Sequence, residues 1–210
     1  MQWDSERLIK ALQAPLPGKE AHDEVFSYSR PSVDHVLSTS STYRTSAVVF
    51  LVYPRNEEWH FLLLKRHDYG GVHSGQVGFP GGRQEEGELL IETGIRELHE
   101  ETGLKLEQDS VLGPLTPLYI PPSDFLVYPY SAIVNDEPEW MMDNREVRYA
   151  LEVPLNELTH GRGLQDVRVP MSGAGHRIKV KAFVFQDEIV WGATAMMLAE
   201  CKRLLDRFTL

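Results

Sequence analysis

Three glutamates in one short segment are the residues best placed to do chemistry. Within GRQEEGELLIETGIRELHEETGL, residues 82–104, Glu97, Glu100 and Glu101 stand at i, i+3 and i+4. On a helix turning roughly 100° per residue, that spacing puts three carboxylates on one face. Like charges one turn apart repel by about 0.2–0.5 kcal/mol per pair, so the cluster stabilises nothing unless a cation sits among it. Hard oxygen donors suit Mg²⁺ or Mn²⁺, which keep several waters and also bind substrate phosphates. The plain alternative is a solvated acidic face.

The elements that must position these carboxylates follow from periodicity. Ile91, Ile95 and Leu98 form a separate apolar stripe on a helix expected from about Glu88 to Thr102 and closed by Gly103. Upstream, residues 45–53 and 59–66 read as paired strands around Pro54-Arg-Asn, and a glycine-rich loop covers 70–82. An amphipathic helix is expected at 4–13 behind Asp4 or Ser5, after which the prolines at 15, 17 and 31 stop regular structure. Further strands are expected at 111–119, 125–134, 146–153 and 177–191, the last a hairpin turning near Gln186-Asp187. A closing helix from Ala193 to about Phe208 carries Met196, Met197, Cys201, Leu204 and Leu205 on one side. Strands outnumber helices without βαβ alternation, which favours α+β or a mixed-sheet sandwich.

Composition narrows the partners. The 210 residues hold 21 basic against 31 acidic side chains, a net charge of −10. That sign opposes binding to nucleic acid by counterion release or to an anionic membrane by polybasic attraction. Seven Glu and two Arg between Gly82 and Leu104 concentrate half of this charge in one segment. The single cysteine, Cys201, has no internal disulfide partner and reads as an inert buried thiol. The start of the chain lacks a signal-peptide layout, and no apolar run approaches the ~20 residues that span a bilayer. A soluble, cytoplasmic protein is expected.

Gly82, five residues, Glu88, seven residues, then Arg96-Glu97-Leu98-His99-Glu100-Glu101-Thr102-Gly103-Leu104 resembles the signature of the Nudix hydrolases at every specified position. The resemblance implies an α+β fold, an α/β/α sandwich around a mixed β-sheet, over residues 41–210, with 1–40 as an N-terminal extension bearing a short helix. It also implies hydrolysis of a diphosphate linked to another group, with Mg²⁺ or Mn²⁺. By the same likeness Glu97, Glu100 and Glu101 bind the metal, and the backbone carbonyl of Gly82 is a further ligand. Arg96 orients Glu97, and Glu88 supports the loop–helix geometry or an outer metal. Glu97 is one candidate to take the proton from the attacking water; Asp136, Glu137, Glu139, Asp187 and Glu188 are the others.

Residues 62–82, LLLKRHDYGGVHSGQVGFPGG, resemble the additional motif of the coenzyme A diphosphatase branch through Arg66, His73, Gly75, Gln76, Val77, Phe79, Pro80, Gly81 and Gly82. Gly71 stands where that pattern has a second basic residue, His67 replaces a small one, and Gly78 stands where Ser or Ala is usual. Independently of the family, Lys65, Arg66, His67 and His73 place cationic groups beside glycines whose backbone can approach a phosphate. The ordinary alternative makes Lys65 and Arg66 solvated strand-end charges and His73 a loop hydrogen bonder. Phe125 and Tyr128 are candidates to stack on an adenine, although an aromatic in a strand is usually core.

The candidate substrate-binding set is therefore Lys65, Arg66, His73, Gln76 and Phe125, and the substrate a small nucleoside diphosphate derivative, with a homodimer possible. The first reading is a coenzyme A or acyl-CoA diphosphatase. The alternatives are hydrolysis of another derivative such as ADP-ribose, or a non-catalytic module that senses a nucleotide.

Overall fold

The computed structural model describes residues 3–25, 31–40, 42–67, 75–170 and 177–209. Long β1 (Arg44–Arg55) runs through the centre of a mixed sheet because its apolar residues alternate into two cores. It pairs antiparallel with β2 (Glu58–Arg66), in parallel with β7 (Phe125–Ile133), and antiparallel with the short β4 (Gly81–Arg83). The β1–β2 turn is made by Asn56 and Glu57, both with positive φ (48° and 64°), the geometry of the tight turns that match strand twist. Two further short strands, β3 (Val77–Gly78) and β5 (Val111–Pro114), pair with β2 and β7. β6 (Leu118–Ile120) also joins β7, and β8 (Val147–Pro154) joins β2. A separate three-stranded sheet has the order β11-β10-β9, from β9 (Gln165–Pro170), β10 (Arg177–Phe185) and β11 (Glu188–Val190).

Helices cover both faces of the main sheet. On one side α4 (Leu90–Thr102) sets Leu98 against Val49, Leu51, Leu62 and Leu64. On the other, Phe50, Val52, Phe61 and Leu63 share a core with α1 (Ser5–Leu12) and α6 (Gly192–Asp206) through Leu8, Leu198, Cys201 and Leu205. The result is an α/β/α sandwich around a mixed sheet. Among the described residues no helix is long and apolar enough to cross a membrane.

The region of the three prolines is more ordered than the sequence suggests. Two helices, α2 (Lys19–Val25) and α3 (Val33–Thr39), lie there, and Pro15, Pro17 and Pro31 fall outside them. Ala21 and Val25 are buried, α2 lying against α6. Two more elements, α5 (Leu155–His160) and β9, had no distinct sequence signal. The closing-helix residues Met196, Met197, Cys201, Leu204 and Leu205 are all buried, and burial pushes the Cys201 thiol up.

Candidate active site

The acidic helix is held close to the sheet by a glycine. A Cβ at Gly94 would come within 3.2 Å of Val49, so its absence lets α4 approach β1. The buried side of α4 is Thr93, Gly94, Leu98, Glu101 and Thr102, whereas Ile91 and Ile95 are only half-buried. The packing face is thus rotated from the predicted Ile91–Ile95–Leu98 stripe toward Glu101. Gly103 closes the helix in the left-handed conformation at φ 76°, its N–H donating to the His99 carbonyl at 2.7 Å.

That rotation gives the three glutamates different surroundings. The Glu101 side chain is 2% exposed, Glu97 16% and Glu100 57%. Burial pushes the Glu101 carboxyl up to about 7 against the opposing pull of Arg66, and it also raises Glu97 against Arg96. Like-charge repulsion here is answered by two guanidinium groups. Arg96 Nη1 donates to Glu97 at 2.9 Å and to Glu100 at 3.1 Å. Arg66 Nη2 donates to Glu101 Oε1 at 2.9 Å. The bonds to the shielded Glu97 and Glu101 are worth about 1.5–3 kcal/mol each, several times the repulsion, whereas the exposed Arg96–Glu100 pair contributes only about 0.3–0.5 kcal/mol.

Arg96 has a second role through its remaining nitrogens. Its Nε and Nη2 donate to the two oxygens of Glu88 at 2.8 and 3.1 Å, and Nη2 also reaches the Arg83 carbonyl at 3.1 Å. Thr93 Oγ1 and the Glu85 N–H donate to the same Glu88 carboxylate. These contacts, led by Arg96, hold the Glu88 carboxyl down at about 2. Loop 83–88 and helix α4 are thereby one unit.

Gly82 abuts Glu97. A Cβ at position 82 would lie 2.3 Å from the Glu97 carboxylate, so only a glycine lets these groups approach so closely. Among the described residues no three His, Cys, Asp or Glu side chains form a ready metal shell, because the carboxylates are turned toward Arg96, Arg66 and the Gly81 N–H. The donor set nonetheless fits a small divalent cation: it offers hard oxygens, an open backbone at Gly82, and carboxylates held by rotatable side chains.

Of the other candidates, Arg66 contacts the acidic cluster by its side chain. Lys65 points to the opposite face of the sheet, where it pairs with Glu188 at 2.7 Å. Phe125 packs toward the α6 core, with the Arg44 guanidinium 4.3 Å above its ring. Tyr128, three residues later, alternates to the α4 side, level with Ala47 and, across β1, with Gly82. The half-buried Gln76 accepts at its carbonyl from the Arg66 N–H at 3.1 Å. His73 lies outside the described residues.

The acidic candidates for proton transfer also separate. Glu137 faces Arg55 at 3.9 Å, Glu188 is taken by Lys65 and Tyr149, and Asp187 forms the β10–β11 turn. A carboxylate absent from the predicted set also bears on the cluster: Glu146 adds to the raised pKa of Glu97 and Glu101, after burial and the neighbouring charges of Glu100 and Glu97. Its turn is anchored to α4, since the Asp143 N–H donates to the Glu101 carbonyl at 3.1 Å and the Val147 N–H to the Asp143 carbonyl at 2.9 Å. The signal was present, but a strand beginning at 146 hid a residue that belongs to the turn before β8.

The Nudix domain family model matches residues 42–170. The chain belongs to the Nudix family. It is similar to the protein named uncharacterized Nudix hydrolase NudL of Yersinia pestis (strain Pestoides F), 30% identical over 178 residues, covering 82% of this chain and 87% of that one. The NudL of Yersinia pseudotuberculosis serotype O:1b (strain IP 31758) has the same identity and coverage. A crystal structure of a MutT/nudix family protein from Enterococcus faecalis superposes with a TM-score of 0.51 at 15% identity, covering 98% of this chain and 73% of that one, a likeness of fold. The chain is a Nudix hydrolase, and Nudix hydrolases generally use divalent metals.

Proposed function

We propose that this Nudix hydrolase cleaves the diphosphate of coenzyme A or an acyl-CoA, giving 4'-phosphopantetheine and adenosine 3',5'-bisphosphate. The observation that carries the substrate is the segment 62–82, in which Arg66, Gln76, Val77 and Phe79 to Gly82 match the coenzyme A diphosphatase pattern. That segment runs directly into Gly82, beside Glu97.

In this reading Glu97, Glu100, Glu101 and the Gly82 carbonyl hold Mg²⁺ or Mn²⁺. A bound divalent cation neutralises phosphoryl oxygens and lowers the pKa of a bound water. Arg96 fixes the rotamers of Glu97 and Glu100 through its fork, and Glu88 anchors that fork to the loop. Glu97, half-buried with a raised pKa, accepts a proton from the attacking water. The domain responsible comprises residues 41–210, and the 1–40 segment supports it by packing α1 and α2 on α6.

Metal-dependent product analysis on coenzyme A, ADP-ribose and a nucleoside triphosphate side by side tests the reading. Release of 4'-phosphopantetheine from coenzyme A is expected. Rapid turnover of ADP-ribose with coenzyme A left intact overturns it.

A further inference from the structure

Arg66 is the last residue of β2. The β2–β8 register shifts beside it, Lys65 lying opposite Tyr149 and Arg66 opposite Val147, so the extra residue, Arg148, is on β8 and the alternation of β2 is kept. Lys65 goes to one face of the sheet and Arg66 to the other, beneath the C-terminal turn of α4.

There the guanidinium closes a ring of contacts. One nitrogen, Nη2, donates to the Gly81 carbonyl at 2.9 Å and to Glu101 Oε1 at 2.9 Å. The Gly81 N–H donates to the other Glu101 oxygen at 2.8 Å. Both carboxylate oxygens are therefore fixed, one by the side chain and one by the backbone that it also holds. Gly81 lies tight against β1, opposite Val48, where an added Cβ would come 2.3 Å from the Ala47 carbonyl oxygen. The next residue is Gly82, whose backbone abuts Glu97.

We propose that Arg66 is a positioning residue of the catalytic centre: it acts through Glu101 and the Gly81–Gly82 turn, holding the cation ligands of α4 and β4 in one frame, and not by gripping substrate. The proposal rests on the reading of Glu97, Glu100, Glu101 and Gly82 as the cation site. An arginine suits the task because the two N–H bonds of Nη2 lie at fixed angles in the guanidinium plane, one available to the carbonyl and one to the carboxylate. A lysine keeps the charge but loses that fixed geometry.

The test compares wild type with Arg66→Met and Arg66→Lys. Mn²⁺ is titrated into substrate-free protein by electron paramagnetic resonance, and coenzyme A kinetics are taken at saturating Mn²⁺. Arg66→Met is expected to weaken Mn²⁺ binding by about tenfold or more, the loss typical when a group orienting a metal ligand is removed. At saturating Mn²⁺ its kcat falls while KM stays within about twofold, and Arg66→Lys recovers part of the Mn²⁺ affinity. Thermal melting checks folding, and should Arg66→Met not fold, Arg66→Lys must itself show weakened Mn²⁺ binding. Unchanged Mn²⁺ affinity with a raised KM overturns the proposal and makes Arg66 a substrate contact. A wild type that binds no Mn²⁺ overturns this proposal together with the cation site. A wild type that binds Mn²⁺ but spares coenzyme A removes only the substrate reading, and the titration still decides the role of Arg66.

Discussion

Arg96 grips both oxygens of Glu88, eight residues earlier in the chain, while its other terminal nitrogen reaches Glu97 and Glu100. One guanidinium therefore sets the rotamers of two carboxylates and fastens the loop that precedes their helix. Arg96→Gln is expected to lower kcat by about 10²-fold, the scale for losing a preorganised charge contact. It should also let Glu88 titrate well above its value of about 2, which carboxyl-resolved NMR can follow.

Glu100 offers the cleanest removal of a single carboxylate. Its side chain is 57% exposed and pairs with Arg96, so Glu100→Gln should melt at the wild-type temperature. A drop in kcat of about 10²-fold at saturating metal is expected. Near-normal turnover by the folded variant would remove Glu100 from the site. Glu101→Gln should match that loss but also lower stability, because it leaves Arg66 without its buried counter-charge.

Adjacent glycines should fail in different ways. At Gly81 an added Cβ meets the Ala47 backbone, which has no room to move, so Gly81→Ala should fold poorly or not at all. At Gly82 the Cβ meets the end of the Glu97 side chain, which can swing away. Gly82→Ala should therefore melt close to wild type yet lose most of its kcat, as thermal melts and steady-state kinetics on one preparation would show.

Glu200 gives the fold a dependence on acid that lies away from the acidic helix. Fully buried on α6, it accepts from the Gly18 N–H at 3.0 Å, the Thr116 N–H at 2.9 Å and Thr116 Oγ1 at 2.6 Å, with His22 Nε2 at 3.8 Å. Burial alone would raise its pKa, but the His22 and Thr116 contacts outweigh that and hold it below the ordinary 4.5. A depressed folded pKa contributes stability above the unfolded value that is lost as pH falls from 4.5 through the folded one. Denaturant melts should show this decline in wild type and a smaller one in Glu200→Gln. The variant itself should cost roughly 2–4 kcal/mol at neutral pH.

Legibility in the sequence followed the range of the interactions. The end of α4 at Gly103 and the β10–β11 turn at Gln186-Asp187 are local, and both residues of that turn have positive φ, 48° and 67°. The helices α2 and α3, of seven residues each, have little helical preference of their own, and α2 is ordered by distant α6. The three-glutamate spacing located the acidic face, but Glu101 is buried because Arg66 and Gly81 meet it there, which no helical wheel contains. Lys65 and Arg66 looked like one cationic pair in the chain. Strand alternation along β2 sends them to opposite faces of the sheet.

The two ends of the described chain meet. Arg7 donates to the Phe208 carbonyl, Arg207 Nη1 to the Pro15 carbonyl at 2.5 Å, and Glu200 to Gly18 spans 182 positions. On a ribosome α1 and α2 emerge well before α6, so the faces of these helices that pack on α6 stay uncovered until it follows. Docking of α1 and α2 thus waits for a helix about 170 residues further on, and a lesion in α6 uncovers the apolar faces of both.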